Sequence, residues 1–347
     1  MSMVTMSEVA AKAGVSQATV SFVLGGRSDS LKISRQTCER VLGAARDLGY
    51  QRNQLARAMV TGKSRIIGVL TTPKSSDNMV RILTGAMEVA SQNDYLLKVV
   101  HLSYNGIDDA TIARCLEWRL AGAMIVGLSE EAHIRLNEAF HRSAIPVTLV
   151  DNVPQINWGV RISSDDAQGM HEVVGHLVGL GHSRIAYIGG RPGSLSEWRG
   201  KSFVESMADA GLSAPRHWIR NSSWGDQKLI ESEVRALFEE SGMEAPTAVV
   251  CAADTIAMVV LRIARARGMR LPEDLSVTGY SNASLSDFTD PPLTTVDQSF
   301  DAMGRAAAQR IVDLAENHEE DPAAAPTATL LPTRLILRGS TAPPRHD

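Results

Sequence analysis

Residues 4–24, Val-Thr-Met-Ser-Glu-Val-Ala-Ala-Lys-Ala-Gly-Val-Ser-Gln-Ala-Thr-Val-Ser-Phe-Val-Leu, spell two short helices separated by one glycine turn. Thr5 is placed to cap the first helix, and Glu8, three residues on, completes a capping box with Val4 and Val9 at staple spacing. Gly14 supplies the left-handed residue that ends this helix. Ser16 caps the second, and Val15 and Val20 repeat the staple. Val9, Ala10 and Ala13 form the inner stripe of the first helix; Val20, Val23 and Leu24 form that of the second. Gln17, Ala18, Ser21 and Phe22 are left facing outward at the start of the second helix. Mostly small, hydrogen-bonding groups at that place suit a helix that enters a DNA major groove. An ordinary αα-hairpin is the plain alternative, and the double capping with its three-residue turn favours DNA binding.

The charge distribution agrees. The 347 residues carry a net charge of −4, yet residues 1–65 hold ten Lys/Arg against four Asp/Glu, leaving +6 there and −10 on the remainder. A basic head on an acidic body presents one end to phosphate. Apolar residues make up 44%, ordinary globular content that excludes wholesale disorder. Cys38, Cys115 and Cys251 show no pairing or metal spacing, so buried thiols in a reducing compartment are expected. Thr5, Ser7, Glu8 and Lys12 break any secretory pattern, and no apolar run is long enough to span a bilayer. A cytoplasmic protein is expected.

A third helix is predicted from Ser34 to Gly49, with Val41, Leu42, Ala45 and Leu48 closing a three-helix core. Asn53 and Gly62 then bracket about two helical turns, too short to hold a helix alone. That segment is a hinge that orders on contact, or else a plain linker helix. From residue 65 buried strands alternate with helices. The strands are Arg65–Leu70, Tyr95–Val100, Ala123–Gly127 and Pro146–Val150, then Ile185–Gly189, Thr247–Ala252 and Leu275–Tyr280. Helices fall near Met79–Gln92, Asp166–Leu180, Trp198–Ala210 and Thr255–Arg267. This rhythm means parallel sheets covered on both faces, in two similar lobes, with a ligand site at the strands' carboxyl ends between them. Residues 318–326 read as a surface loop. No leucine heptads follow the last strand, Arg334–Arg338.

Five fragments carry a family resemblance. They are Glu-Val-Ala-x-x-Ala-Gly-Val-Ser-x-x-Thr-Val-Ser near the start, Leu-Gly-Tyr before the hinge, and Gly-His-Ser-Arg-Ile-Ala-Tyr-Ile-Gly-Gly at 181–190. Leu-Pro-Glu-Asp-Leu-Ser-Val-Thr-Gly-Tyr at 271–280 and Pro-Pro-Leu-Thr-Thr-Val at 291–296 complete the series. In this order they resemble the LacI/GalR bacterial transcriptional regulators over nearly the whole chain. Arg52-Asn53, Val250-Cys251-x-x-x-Thr255-Ile256-Ala257-Met258 and the spacing near 194–200 look more loosely like the maltose-regulon repressor branch, from which no effector is carried over.

The resemblance implies an all-α helix-turn-helix head and a two-lobed α/β body like periplasmic binding proteins. The expected boundaries are 1–52 for the head, 53–63 for the hinge helix and 64–342 for effector binding and dimerisation. Lobe one takes about 64–163 and 298–328; lobe two takes about 164–297 and 329–342. It further implies a homodimer that reads a pseudo-palindromic DNA operator and closes around a small effector, a sugar or sugar-derived metabolite, most simply as a repressor. Thr5, Ser16, Gln17, Ala18, Thr19, Ser21 and Phe22 become DNA-facing positions. Lys32, Ser34, Thr37, Tyr50 and Asn53 become phosphate contacts. Gln54, Ala56, Arg57 and Met59 fall on the minor-groove side of the hinge, and Leu55 meets its dimer mate. The effector positions are Asp151, Arg199, Trp224, Asp254 and Ser281.

Several positions depart from the family pattern. Phe22 stands for a common arginine, which removes a bidentate guanine contact and suits a thymine methyl. Arg52 replaces a proline before the hinge, and Met59 stands where leucine wedges between base steps. Ala253 stands where asparagine is common, and Ser281-Asn282 where the family often carries an Asp-Asp or Asp-Asn pair that binds sugar hydroxyls, which argues against an ordinary monosaccharide.

Other features read blandly. His171, His176 and His182 are spaced by five and six residues, off one helical face, so surface or capping histidines are expected rather than a metal site. Gly189–Gly193 lacks phosphate-loop spacing. The basic run Arg262–Arg270 ends a helix, where cations suit the dipole, and reads as a solvated face. No serine, cysteine or histidine sits in a nucleophile setting, so no catalysis, metal or cofactor is expected. The competing class is a solute-binding or enzymatic α/β protein whose helices serve interaction only. It requires a secretory signal or a catalytic constellation, and neither is present.

Overall fold

A computed structural model describes residues 4–25, 31–50, 64–72, 77–102, 107–128, 130–151, 159–190, 197–222, 226–240, 245–316 and 327–345. These fall into two compact units, 1–64 and 65–347. The expected hinge, with Asn53, Gln54, Leu55, Ala56, Arg57 and Met59, lies outside the described residues, as does the 318–326 segment.

The first unit is three helices, α1 (Met6–Ala13), α2 (Gln17–Leu24) and α3 (Arg35–Leu48). Each starts on a hydroxyl cap. Thr5 and Glu8 form the reciprocal capping box, with the Thr5 N–H donating to Glu8 Oε2 at 2.6 Å. That hydrogen bond also holds the Glu8 carboxyl below its usual range. Ser16 Oγ accepts from the Thr19 N–H at 3.1 Å, and Ser34 Oγ from the Thr37 N–H at 3.2 Å. Gly14 and Gly49 end α1 and α3 at φ 65° and 64°, in the left-handed region open to glycine. Val9, Val20 and Val41 are fully buried at the centre of the cluster, ringed by Ala10, Ala13, Val23, Ala44 and Ala45. Leu42 is not in this core; it is 45% exposed. The inward row of α3 runs through Val41, Ala44, Ala45 and Leu48, and Leu42 lies about 100° around the helix from Val41. Cys38 and Leu24 are only partly buried against the cluster.

The second unit holds two parallel sheets. The larger has the order β11-β5-β4-β3-β1-β2, comprising β1 (Ile66–Thr71), β2 (Leu96–His101), β3 (Gly122–Val126), β4 (Val147–Val150), β5 (Val160–Ser164) and β11 (Thr327–Leu331). The smaller has the order β7-β6-β8-β9, comprising β6 (Ile185–Gly190), β7 (Ile219–Ser222), β8 (Ala248–Cys251) and β9 (Ser276–Thr278). β10 (Thr295–Asp297) and β12 (Arg334–Ile336) pair antiparallel beside it. β3, β4, β6 and β8 are buried along their whole length, as strands covered on both faces must be. Helices α4 (Asp77–Gln92), α5 (Asp109–Glu117), α6 (Glu130–Arg142) and α11 (Phe300–Glu316) accompany the first sheet. Helices α7 (Asp166–Gly179), α8 (Glu197–Asp209), α9 (Gln227–Glu240) and α10 (Asp254–Ala266) accompany the second.

The chain passes between the sheets at three places: 164–166, 297–300 and 331–334. The last differs from the expected boundary near residue 328. β11 pairs with β5 over its full length, from Thr327↔Val160 to Leu331↔Ser164, so lobe one keeps the chain to Leu331. His182 also departs from expectation. It is 3% exposed and hydrogen-bonds Thr247 Oγ1, Ser276 Oγ and the Ala342 carbonyl, fastening the C-terminal segment to lobe two. Burial lowers its pKa.

Where α4 crosses α11, only hydrogen fits. A Cβ on Gly85 would stand 2.0 Å from the Asp301 carbonyl oxygen, and one on Gly304 would stand 1.9 Å from that of Ile82. Both obstacles are backbone, so the helices must separate to admit a methyl group. Alanine is the better helix former, yet Gly85→Ala is expected to destabilise the body by about 2–3 kcal/mol through this overpacking. Chemical denaturation of wild type and variant measures it.

Candidate functional site

Two surfaces gather the candidate residues. On the head, the caps that start α2 also decide which side chains it displays. Ser16, Gln17 and Ala18 are exposed, and Thr19, Ser21 and Phe22 are half-buried, while Val20 and Val23 point into the core. The Ser16 and Thr19 hydroxyls lie 2.9 Å apart, and the Ser34–Thr37 pair repeats this at the start of α3. Thr5, Lys32 and Ser34 are exposed, Thr37 and Tyr50 half-buried. Lys12 pairs with Asp47 and Arg35 with Glu39. Lys32, Arg40 and Arg46 make no ion pair among the described residues and leave the head basic.

In the body, Arg199 occupies the first turn of α8 beyond the carboxyl end of β6 and is 1% exposed. Its Nε donates to Asp166 Oδ2 at 3.0 Å, its Nη1 to the Ala252 carbonyl at 2.8 Å, and its guanidinium lies 4.2 Å from the Tyr280 ring centroid. Burial opposes the charge, but Asp166, Tyr280 and Asp151 offset this and raise the pKa above that of an ordinary arginine. Asp166 in turn accepts from Ser164 Oγ at 2.9 Å, Tyr280 Oη at 3.1 Å and Gln298 Nε2 at 3.4 Å. Burial, with Asp166 beside it, lifts the Tyr280 phenol far above its usual range, so it stays a donor. Asp151 ends β4 at φ 71°, held by its N–H to the Ile162 carbonyl at 3.0 Å.

Two expected effector residues carry other duties. Asp254, 1% exposed, accepts from the Ala283 N–H at 2.6 Å, Ser286 Oγ at 2.7 Å and Thr295 Oγ1 at 2.5 Å. Its carboxylate is committed to pinning the 283–295 loop inside lobe two, although burial pushes its pKa up. Ser281 is buried at φ 116°, its hydroxyl 3.4 Å from Gln298 Oε1. The amide of Asn282 is engaged by Asp297 and Arg338. Ala253 caps α10 through its backbone alone. Trp224 lies outside the described residues.

Sequence reasoning missed Asp166, Gln298 and Arg81. From α4 of lobe one, Arg81 reaches the carbonyls of Ser281 and Asn282 at 3.4 and 3.5 Å while pairing with Asp297 and Asp301. Asp77 in the same turn accepts from the Ser284 hydroxyl at 2.6 Å. Only Asp166 left a sequence signal, as an acidic pair opening a helix after a strand. The other motifs are accounted for. Arg262, Arg265, Arg267 and Arg270 pair with Glu231, Asp290, Glu239 and Asp274, so the basic run is neutralised. The described residues hold no cluster of metal-ligating type, and no described helix is long and apolar enough to cross a membrane.

A capped helix-turn-helix head on a two-lobed parallel α/β body defines the architecture of bacterial transcriptional regulators. Residues 5–53 match the profile of bacterial regulatory proteins of the lacI family, and 174–341 that of a periplasmic binding protein-like domain. The chain is 32% identical to the HTH-type transcriptional regulator MalR of Streptomyces coelicolor, over 97% of this chain and 96% of that one. It is 27% identical to the HTH-type transcriptional repressor PurR of Photobacterium profundum, over 91% and 94%. The lac repressor dimer bound to operator and an anti-inducer superposes with a TM-score of 0.80 at 26% identity, covering 98% of this chain and all of that one. The chain belongs to the LacI family of bacterial regulatory proteins, and it is a transcriptional regulator rather than an enzyme.

Asp254→Ala leaves the buried Ser286 and Thr295 hydroxyls and the half-buried Ala283 N–H without this acceptor. It is expected to cost about 3 kcal/mol of body stability, read as a lower melting temperature for the body.

Proposed function

We propose that this regulator binds a pseudo-palindromic operator as a cytoplasmic homodimer, and that a small molecule held between the lobes sets its affinity for DNA. One observation carries the reading: Arg199 is buried at the carboxyl ends of the lobe-two strands and wired through Asp166 to the segments that cross between lobes. Asp151, Ser281 and Trp224 complete the proposed effector site, with lobe one about 64–163 and 298–331. A ligand that moves this cluster moves the crossings, and through them the separation of two heads that must match the half-site spacing. An unpartnered apolar face supports the dimer. Val80 and Met87 on α4, and Leu96 and Val99 on the edge strand β2, are all exposed on lobe one.

On the head, Ser16, Gln17, Ala18, Thr19, Ser21 and Phe22 form the proposed reading surface, with Thr5, Lys32, Ser34, Thr37 and Tyr50 at the phosphates. Gln17→Ala is expected to cost about 1–3 kcal/mol against the preferred operator and to relax one symmetric base-pair position. Selection of binding sequences from a random pool checks this, and an unchanged preference removes α2 as the reading helix.

Arg199→Ala separates the two halves of the mechanism. Operator affinity without ligand is expected to stay within about threefold of wild type, because the head is untouched, while effector response falls at least about tenfold, near 1.4 kcal/mol of coupling. Fluorescence anisotropy of labelled operator, titrated with a panel of mono- and disaccharides, reads both quantities. A normal response in the variant places the effector elsewhere.

A further inference from the structure

The chemistry displayed by α2 narrows the bases it can recognise. Val20 and Val23 mark the side of α2 that faces the core of the head. At about 100° per residue, Ala18 lies about 170° from that side and Phe22 about 130° round one way, with Ser21 about 130° and Gln17 about 90° round the other. Ala18 is exposed and Phe22 half-buried, and Phe22 takes no place in the core cluster, whereas Leu24 packs against it. The centre of the displayed face is therefore an apolar ridge, Ala18 and Phe22, with the two residues one turn apart. Hydrogen-bonding groups occupy one flank of that ridge. The Ser16 and Thr19 hydroxyls lie 2.9 Å apart and are engaged at the helix start, where Ser16 Oγ accepts from the Thr19 N–H. Gln17 and Ser21 remain. The helix itself, Gln17–Leu24, carries no charged side chain. The cations of the head stand on other segments, Lys32 ahead of α3 and Arg40 and Arg46 on it. Charge is thus available to phosphates, while the bases meet an uncharged helix.

An uncharged helix lacks the arginine or lysine that takes guanine O6 and N7. Glutamine instead pairs with N6 and N7 of adenine, and the thymine opposite presents a C5 methyl group in the major groove. We propose that Ala18 and Phe22 read pyrimidine C5 methyl groups, so that Phe22 fixes the position of a thymine in each half-site and guanine is not selected there. The same contact accepts 5-methylcytosine and discriminates against unmethylated cytosine, because the ring packs on the methyl carbon and makes no hydrogen bond to O4 or N4. This rests on the reading of α2 as the recognition helix and assigns the base chemistry that it recognises.

The test uses the full-length protein and the operator it selects from a random DNA pool. The position facing Phe22 is the one whose preference Phe22→Ala relaxes. Fluorescence anisotropy reads the affinity of wild type for that operator and for copies with deoxyuridine in place of one thymine at a time, a change that removes only the methyl group. At the position facing Phe22, deoxyuridine is expected to weaken binding about fourfold in one half-site, the worth of one buried carbon, and about fifteenfold in both. 5-Methylcytosine paired with guanine there is expected to bind about fourfold more tightly than cytosine paired with guanine. Phe22→Ala is expected to lose both sensitivities, and Phe22→Leu, which stays apolar, to keep part of them. The modified-DNA measurements on wild type stand whether or not either variant folds. Wild type that is indifferent to deoxyuridine at every thymine of the operator overturns the proposal. So does a guanine or an unmethylated cytosine selected at the position that Phe22→Ala relaxes. Failure of the recognition-helix reading appears separately, and takes this proposal with it, as folded Gln17→Ala and Phe22→Ala variants that both select the wild-type sequence.

Discussion

A single half-buried carboxylate, Asp166, organises the contacts between the lobes of this protein. Asp166 stands where the chain first leaves the large sheet, and it gathers Ser164 from the end of β5, Tyr280 from beyond β9, Gln298 from the second crossing and Arg199 from α8. The neighbouring residue secures the third crossing, since Asp165 donates its N–H to the Leu331 carbonyl and Thr333 donates to the Asp165 carbonyl. All three passages between lobes therefore meet within one helical turn. Burying an ion pair is costly unless hydrogen bonds compensate it, and here donors from four separate segments converge on the Asp166 carboxylate. Its value lies in specificity of structure: Arg199 and two of the segments that connect the lobes share one carboxylate.

Stability and response are supplied by different materials. Around the hub the described residues form three apolar clusters, one in lobe two and two in lobe one, with β6 and β8 buried throughout and α4 and α11 packed so closely that glycine is required at both contact points. Rigid lobes of this kind move as bodies rather than deform. The contacts that join them are mostly polar: Arg81 to two carbonyls, Asp77 to Ser284, Gln298 to Ser164. Polar contacts can be exchanged for others at modest net cost, so the lobes can shift while their interiors stay fixed. The head is built differently, with a core of eight buried residues and three helices whose ends are finished by serine, threonine and glycine.

How much was legible in the sequence depended on how local the deciding interaction was. Caps at Thr5, Ser16 and Ser34 act on a backbone three residues away, and Gly14 and Gly49 act on their own φ angle, so the helices of the head could be read residue by residue. The inward row of α3 was misread at Leu42 because leucine's apolarity outweighed its angular position. Short strands such as β5 and β10, and the helices α5, α6, α9 and α11, went unremarked. The outer boundary of lobe one was set short because β11 is specified by its pairing with β5, more than 160 residues upstream. His182 looked like a surface residue for a similar reason: its burial depends on the chain returning at Ala342.

The sequence by itself determined the class of the head, the alternation that makes parallel sheets and the family, and it nominated Arg199 as a candidate. Each rests on spacing within a few turns or on fragments in a fixed order. The tertiary structure alone decided what Arg199 faces. Asp166, Ala252 and Tyr280 are separated from it by 33, 53 and about 80 positions, and no periodicity links them. It also reassigned Asp254, whose carboxylate looked available for a ligand until the loop from Ala283 to Thr295 folded over it. A charge's chemical role depends on which other charges and dipoles lie within a few ångströms, and that distance is fixed only when segments remote in sequence are packed together.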